Sequence, residues 1–336
     1  MQVTNLSLSI SIYIHMLQNK NIMMLMDILT TYFNVIINTL IKYALHFFYG
    51  KGELERLLTD SNKHTFLMTD MAGKIILKSK VLARGGVIKT MMLPKPYNVG
   101  NLSSQIIKLK SIRQNTSSYQ ILKKNLKLCI KQLNGSRYAM QILNNLKSIK
   151  YDNTNTKHEE VLYKLWQNLM PNTNLPSRIC EEWNLIGFQG TNPETDFRGM
   201  GYLGLYILMK FSENNNFNNT GEKARRILKN SKGPPNFPLK FYPFACAGIQ
   251  ITNFALDLLE RRKLDRWFYE VEDSNKNSTA IGITERRVIE IFVRLYSDMF
   301  ELLDVCWVLG KPVNVMDYGR IFNDFKEKAI KRFCIV

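Results

Sequence analysis

Between Met71 and Tyr151 the 336-residue chain carries no Asp or Glu, while Lys and Arg recur throughout. A block of one sign is drawn to an anionic surface, nucleic acid or lipid, unless it is simply a solvated helical face. It feeds a formal net charge of +18, from 46 Lys+Arg against 28 Asp+Glu. Cysteine is sparse: the five residues (129, 180, 246, 306, 334) are far apart, and no pair has metal-ligand spacing. Cys180, Cys246 and Cys306 sit in apolar helical contexts and read as buried thiols in a reducing compartment. Cys334 is third from the end, where a prenylation box needs the fourth. Of four histidines (15, 46, 64, 158), His158 begins a His-Glu pair, but HExxH needs a histidine at 162, which is leucine. No G-x-x-x-x-G-K-[ST] occurs, so the chain has no P-loop of its own. No Ser/His/Asp constellation is suggested. Residues 1–15 contain no Lys or Arg, which removes the basic n-region of a secretory signal.

What is present is 45% apolar and long enough for one large domain with an appendage, or two small ones. NLSLSISIYI (5–14) alternates like a strand but has no pairing partner nearby. Residues 1–25 are therefore an extension of unassigned structure. Residues 26–50 form a hydrophobic, anchor-like segment. The stretch from Ile28 to Ile41 is uncharged, shorter than the roughly 20 residues of a spanning helix. If Lys42 snorkels, the run extends to Tyr49. An interfacial anchor, a spanning helix and a helix packed on the main domain all stay open.

Residues 51–150 are the basic region. Gly85–Gly86, Pro94 and Pro96 break regular structure, and apolar residues every three or four positions from Leu102 to Lys150 predict two or three basic amphipathic helices. YDNTNT (151–156) reads as a linker. From about 155 to 330 helical signals dominate. Helices are expected over 158–171, from Pro176 to about Trp183, 201–211, 241–264, 284–310 and 315–333. NNNFNNT (214–220) and SKGPPNFP (231–238) read as loops. Clear strands are lacking, and the fold class is all-α.

Residues 195–205 read TDFRGMGYLGL. Gly199, Gly201 and Gly204 make G-x-G-x-x-G, but no strand precedes them, so a dinucleotide cradle fails on context. The glycines suit a loop that becomes a closely packed helix. Arg198 then sits near a helix N-terminus, where positive charge is disfavoured unless an anion is its partner. That anion is either internal (Asp196, Glu194 or Glu182) or a phosphate, including one held by another protein.

WNLIGFQGTNPETDFRGMGYLGL (183–205) resembles the ELMO domain signature, W-x3-G-F-Q-G before a D-F-R-G-x-G box. HEEVLYKLWQNLMP (158–171) and YPFACAGIQIT (242–252) are similar to that family, and FFYGKGELERL (47–57) resembles the single-domain ELMOD members. The resemblance implies a helical ELMO domain over 155–330 and a GTPase-activating protein for Arf-family, above all Arf-like, GTPases. It implies Arg198 as the arginine finger, with Asp196, Phe197, Gly199, Gly201 and Gln189 in the supporting loop. Asp196 is expected to orient Arg198. Gln189 is expected to make a structural hydrogen bond, with a water-positioning role as the alternative. Trp183, Phe188 and Phe197 are expected in the core. The chain is then an activator and not itself an enzyme; it needs no cofactor or metal, because the GTPase brings GTP and its own Mg²⁺. Expected partners are that GTPase and an anionic membrane surface, with nucleic acid outside the expected set. The expected location is intracellular, cytoplasmic with membrane association. A non-catalytic adaptor of the larger ELMO type is the alternative. Family members often carry asparagine where this chain has Ile207, so the helix bearing the loop is expected to pack differently here.

Overall fold

The structure, a computed structural model, describes residues 23–41, 44, 50–60, 63–93, 97–213, 220–233, 241–269 and 283–334. NLSLSISIYI and most of 214–220 and 231–238 lie outside them. Every regular element among the described residues is a helix, as an all-α chain requires. Helix α1, Met23–Ile41, has a mean hydropathy of 1.5 and is 0% buried. Its side chains are exposed, so over Met23–Ile41 it is not buried against either core.

The acid-free stretch is folded, and its lysines coat a core of its own. Helices α2 (Glu53–Thr59), α3 (Thr65–Leu77), α4 (Lys80–Arg84), α5 (Val87–Met92) and α6 (Val99–Leu109) close around the first half of α7 (Tyr119–Ser148). Leu122, Leu126, Cys129, Ile130 and Leu133 of α7 lie on one stripe at helical spacing and are buried there. Gly85–Gly86 interrupts regular structure as expected, between two short helices, while Pro94 and Pro96 lie outside the described residues. The Gly85–Gly86 pair does end α4, and Gly86 caps α5 in a left-handed conformation.

The second core takes the other half of α7, through Ala139 and Leu143, with α8 (Thr156–Leu169), α9 (Gly201–Ser212), α10 (Thr220–Ser231), α11 (Phe244–Glu260), α12 (Glu285–Leu309) and α13 (Tyr318–Phe333). The two cores therefore meet inside α7, upstream of the expected linker at 151–156. Helix α9 is central and packs on α7, α8, α10, α11 and α12. Ile207 is fully buried in it. The helix expected from Pro176 to Trp183 does not form; a 3-10 turn, Glu181–Ile186, takes its place. The backbone there is committed elsewhere: the Cys180 N–H donates to the Thr191 carbonyl at 3.1 Å, and the Arg178 carbonyl accepts from Trp183 Nε1 at 3.0 Å.

At the seam between the cores a second 3-10 turn, Asp265–Phe268, lies on α7. Asp265 is buried and accepts from Ser136 Oγ at 2.6 Å and from Arg262 Nε at 2.8 Å. Arg137 of α7 faces the same carboxylate at 3.8 Å, both side chains being almost wholly buried. Arg266 donates to Asp70 of α3. Removing Asp265 strands the buried Arg137 charge, a loss of about 3–5 kcal/mol. Asp265→Ala should therefore lower the urea midpoint strongly, whereas Asp257→Ala, which breaks the exposed pair with Arg261, should cost under about 1 kcal/mol. Equal small losses from both would mean that the seam is not held by this carboxylate.

Candidate functional site

Two segments build the site: the 3-10 turn Glu181–Ile186 with residues 187–190 behind it, and the 3-10 turn Pro193–Gly199. Aromatic rings run continuously beneath them. Trp166 meets Trp183 edge-on, Trp183 meets Phe188, Phe188 meets Phe197 and Phe197 meets Tyr151, with centroids 5.1–5.8 Å apart. Tyr151 then stacks on His158, His158 on Tyr202 at 4.5 Å, and Tyr202 on Tyr206. Such contacts add about 0.5–1.5 kcal/mol each beyond the area buried. Trp183, Phe188 and Phe197 are thus core residues, as expected.

Polar groups lock the same parts. Arg178 Nε donates to Glu159 at 2.6 Å, Nη1 to Asn192 Oδ1 at 3.2 Å and Nη2 to the Tyr151 hydroxyl at 3.4 Å. The Tyr151 hydroxyl donates to the other Glu159 oxygen. Burial first, then Glu159, pushes the Tyr151 phenol well above its ordinary range. Asn192 caps the second turn by accepting from the Glu194 N–H at 3.2 Å.

Two glycines set the backbone. Gly187 has φ +83, and a Cβ there would lie 2.2 Å from the Phe244 nitrogen. Its carbonyl instead accepts from the Cys246 N–H in the first turn of α11 at 3.2 Å. Gly201 has φ +53, and a Cβ would lie 2.3 Å from the Lys147 carbonyl oxygen and 2.5 Å from that of Ile149. The Tyr202 N–H donates to the Ile149 carbonyl at 2.7 Å. The start of α9 is therefore pressed against the end of α7, joining opposite ends of two helix dipoles. A Cβ on Gly199 would meet nothing within 4 Å, so nothing inside the chain requires glycine there.

Arg198 is exposed in the second turn, three residues before α9 begins. Its Nε donates to the Thr195 carbonyl at 2.8 Å. Nη1 and Nη2 bond to no described residue, and no described carboxylate forms an ion pair with the guanidinium. Asp196 does not bind Arg198, contrary to expectation. The half-buried Asp196 carboxylate accepts the main-chain N–H of Gln189 at 2.8 Å and clamps the two segments together. Burial raises its pKa, and the Gln189 N–H and the Arg198 charge partly offset this. Glu194 is engaged by Asn153 at 2.9 Å. An internal partner for Arg198 is thus not found. The structural bond of Gln189 is made by its backbone; its side chain is exposed. Burial pushes the nearby Cys246 thiol up to about 12, leaving it inert. Among the described residues no group of His, Cys, Asp and Glu is placed to hold a metal.

A model of the ELMO/CED-12 family matches residues 141–322, more than half of the chain. The chain belongs to the ELMO/CED-12 family. It is 31% identical over 288 residues to ELMO domain-containing protein B of Dictyostelium discoideum, covering 85% of this chain and 92% of that protein. It is 31% identical to human ELMO domain-containing protein 2 (85% of this chain, 88% of the relative) and 30% identical to bovine ELMO domain-containing protein 1 (74% and 75%). No solved structure matches the chain. The family segment begins within the second half of α7, where the core containing α9 begins. Reading the ELMO signature found Arg198 and its glycines but missed Tyr151, Glu159 and Arg178. Only Tyr202 and Tyr206 carried a signal, as an i, i+4 pair on one face of α9; Tyr151 lies before α8 and its place in the stack has no sequence period.

Gly201→Ala should destabilise the ELMO domain by about 2–5 kcal/mol, from a left-handed Ala (~1–2) and displaced backbone (~1–3). Gly199→Ala should stay within about 0.5 kcal/mol. Chemical denaturation of both variants checks this; similar losses would show that α9 does not depend on its approach to α7.

Proposed function

We propose that this ELMO-family chain is a GTPase-activating protein for Arf-family GTPases, above all Arf-like ones, and that Arg198 is its arginine finger. The observation that carries the reading is an exposed arginine with both Nη nitrogens unpartnered, held at Nε on a rigid turn. An arginine fixed this way lacks an anion, and a transferring γ-phosphoryl group supplies one. The GTPase contributes P-loop, Mg²⁺ and the attacking water. Arg198 contributes a planar fork spanning two phosphoryl oxygens, which an ammonium does not reproduce. Gly199 leaves the rim of the turn free of a side chain, so a partner can approach its backbone. Asp196, Phe197, Gln189 and Gly201 act through the position of the turn. The resemblance in residues 183–205 supports the GTPase; the geometry by itself supports only an anionic partner.

The test is single-turnover GTP hydrolysis by purified Arf-family GTPases, alone, with the parent chain and with Arg198→Lys. Acceleration by the parent should fall by about 10³–10⁵ in the variant, with its unfolding curve unchanged. Equal acceleration by both would transfer the chemistry to another residue. No acceleration by the parent across the panel would leave the adaptor reading.

We also propose that α1 brings the activator to an anionic membrane surface. Its 19 exposed residues rise about 28 Å, close to a hydrocarbon core of ~30 Å. Phe33→Lys with Ile37→Lys places two charges in its middle, each unfavourable by roughly 2.5–3.5 kcal/mol at the bilayer centre. The double variant should stop sedimenting with anionic vesicles while keeping both cores. Unchanged sedimentation would assign the membrane contact to the lysine-rich surface.

A further inference from the structure

A protein that works alone rarely gathers strongly exposed apolar side chains on one face, so a face that does asks what covers it. Around the N-terminus of α11 four such residues stand out. Leu185 is 44% exposed and Phe241 38%, and both line an open groove of about 430 Å³ that the buried rings of Phe188, Tyr242 and Phe244 also line. Val313 is 71% exposed and Met316 86%, in the loop between α12 and α13. Both sets are tied to α11. The Gly187 carbonyl of the groove accepts from the Cys246 N–H. One turn further along α11, Gln250 Oε1 accepts at 3.1 Å from the hydroxyl of Tyr318, two residues after Met316. Tyr242 of the groove stacks on Tyr318 with centroids 6.2 Å apart, which joins groove and loop into one face.

The loop is braced. The Val313 N–H donates to Asp317 at 2.7 Å, the Met316 N–H to Asn314 Oδ1 at 2.8 Å, and Arg320 Nη2 to the Gly310 carbonyl at 3.2 Å. Lys311 enters it with φ +46, a conformation that usually takes glycine. Polar side chains are thus spent on holding the backbone, while the apolar ones are left in solvent. Arg198 borders the same face. Phe197, the residue before it, packs edge-on against Phe188 of the groove. Asp196 clamps Gln189, which directly follows Phe188. A standard protein interface covers about 800 Å² of each partner, a patch roughly 30 Å across. A partner that takes Arg198 into its own nucleotide site has to lie over the surface beside that residue, and the groove is part of that surface.

We propose that the groove and the braced loop are the docking surface for the GTPase, the groove receiving a protruding apolar side chain and Val313 and Met316 packing on the surface around it. The identity of this partner rests on the activator reading. Two features favour a protein over a bilayer. A groove accepts a protruding side chain, which a flat bilayer does not offer. The apolar α1 leads instead to Gly50, whose carbonyl Arg113 holds beside the first core. Arg198 then sets the rate within the complex, and the apolar face sets how much complex forms.

The test uses the full chain and purified Arf-family GTPases. Each GTPase is loaded with a nonhydrolysable GTP analogue for titration calorimetry, and with GTP for single-turnover hydrolysis at rising activator concentration. The variants are Leu185→Asp, Met316→Asp and, as a control, Leu67→Asp, which puts the same charge on an exposed leucine of α3 in the first core. Leu185→Asp and Met316→Asp should each weaken binding and raise the half-saturating concentration by about tenfold or more, with the rate at saturation unchanged. Leu67→Asp should behave as the parent. Arg198→Lys should do the opposite, losing rate while binding stays within severalfold of the parent. Parent-like binding by Leu185→Asp or Met316→Asp overturns the proposal. Binding without acceleration, weakened in both variants, overturns the activator reading alone, and no binding by the parent to any GTPase of the panel overturns both. A lowered unfolding midpoint in either variant assigns the face to the chain's own packing, a parent dimer that the variants dissociate assigns it to a second copy, and lost vesicle sedimentation with GTPase binding kept assigns it to a membrane. Each of these also overturns the proposal.

Discussion

The contact on which the functional site depends is the meeting of two helix ends at Gly201. The last carbonyls of α7 sit where a side chain on residue 201 would have to be. This fixes where α9 begins, and α9 is the helix against which α7, α8, α10, α11 and α12 all pack. The 3-10 turn bearing Arg198 leads directly into it. The position of the guanidinium is therefore inherited from the core and not from the flexibility of a loop. An arginine side chain carries about 2 kcal/mol of rotamer entropy, and the Thr195 carbonyl has already taken up part of it.

Asp196 and Arg178 divide the electrostatic work in an unexpected way. An acid two residues before an arginine invites pairing, yet Asp196 spends its charge on the Gln189 N–H. Pairing would neutralise the guanidinium and add desolvation to any encounter with a phosphate. By clamping the neighbouring loop instead, Asp196 gives the turn stiffness and leaves the positive charge undiminished. Arg178, at the other side of the turn, is saturated by Glu159, Asn192 and Tyr151. One arginine is used up as a structural hub, and the other is kept open.

Periodicity was enough to read α8, α9, α11, α12 and α13, because each buries a stripe at helical spacing against one core. It was not enough at Pro176–Trp183, where tertiary hydrogen bonds from Trp183 and Cys180 take the backbone groups a helix would use. Tyr151 was equally hidden. Its segment reads as a polar turn, and only the fold brings it between Phe197 and His158. Arg198 was legible as the candidate through a long ordered motif, while the partner of Asp196 was not, since a carboxylate can reach a backbone N–H seven residues away as easily as a side chain two residues away. The acid-free block was legible as helical but not as a second core. Its lysines mark the outside of that core, and the stripe from Leu122 to Leu133 is what it encloses.

Helix α7 belongs to both cores, and this makes the seam more than a boundary. The helix carries the buried Arg137 at the seam and, ten residues on, the Lys147 carbonyl against which α9 starts. The seam is also where positive charge is concentrated and buried, with Arg137 and Arg262 on one carboxylate. Charge buried in this way is tolerated only with close counter-ions, and salt screens it far less than it screens the exposed pairs of the surface. The same beam that carries the load of the second core thus has its electrostatic weak point at the junction with the first.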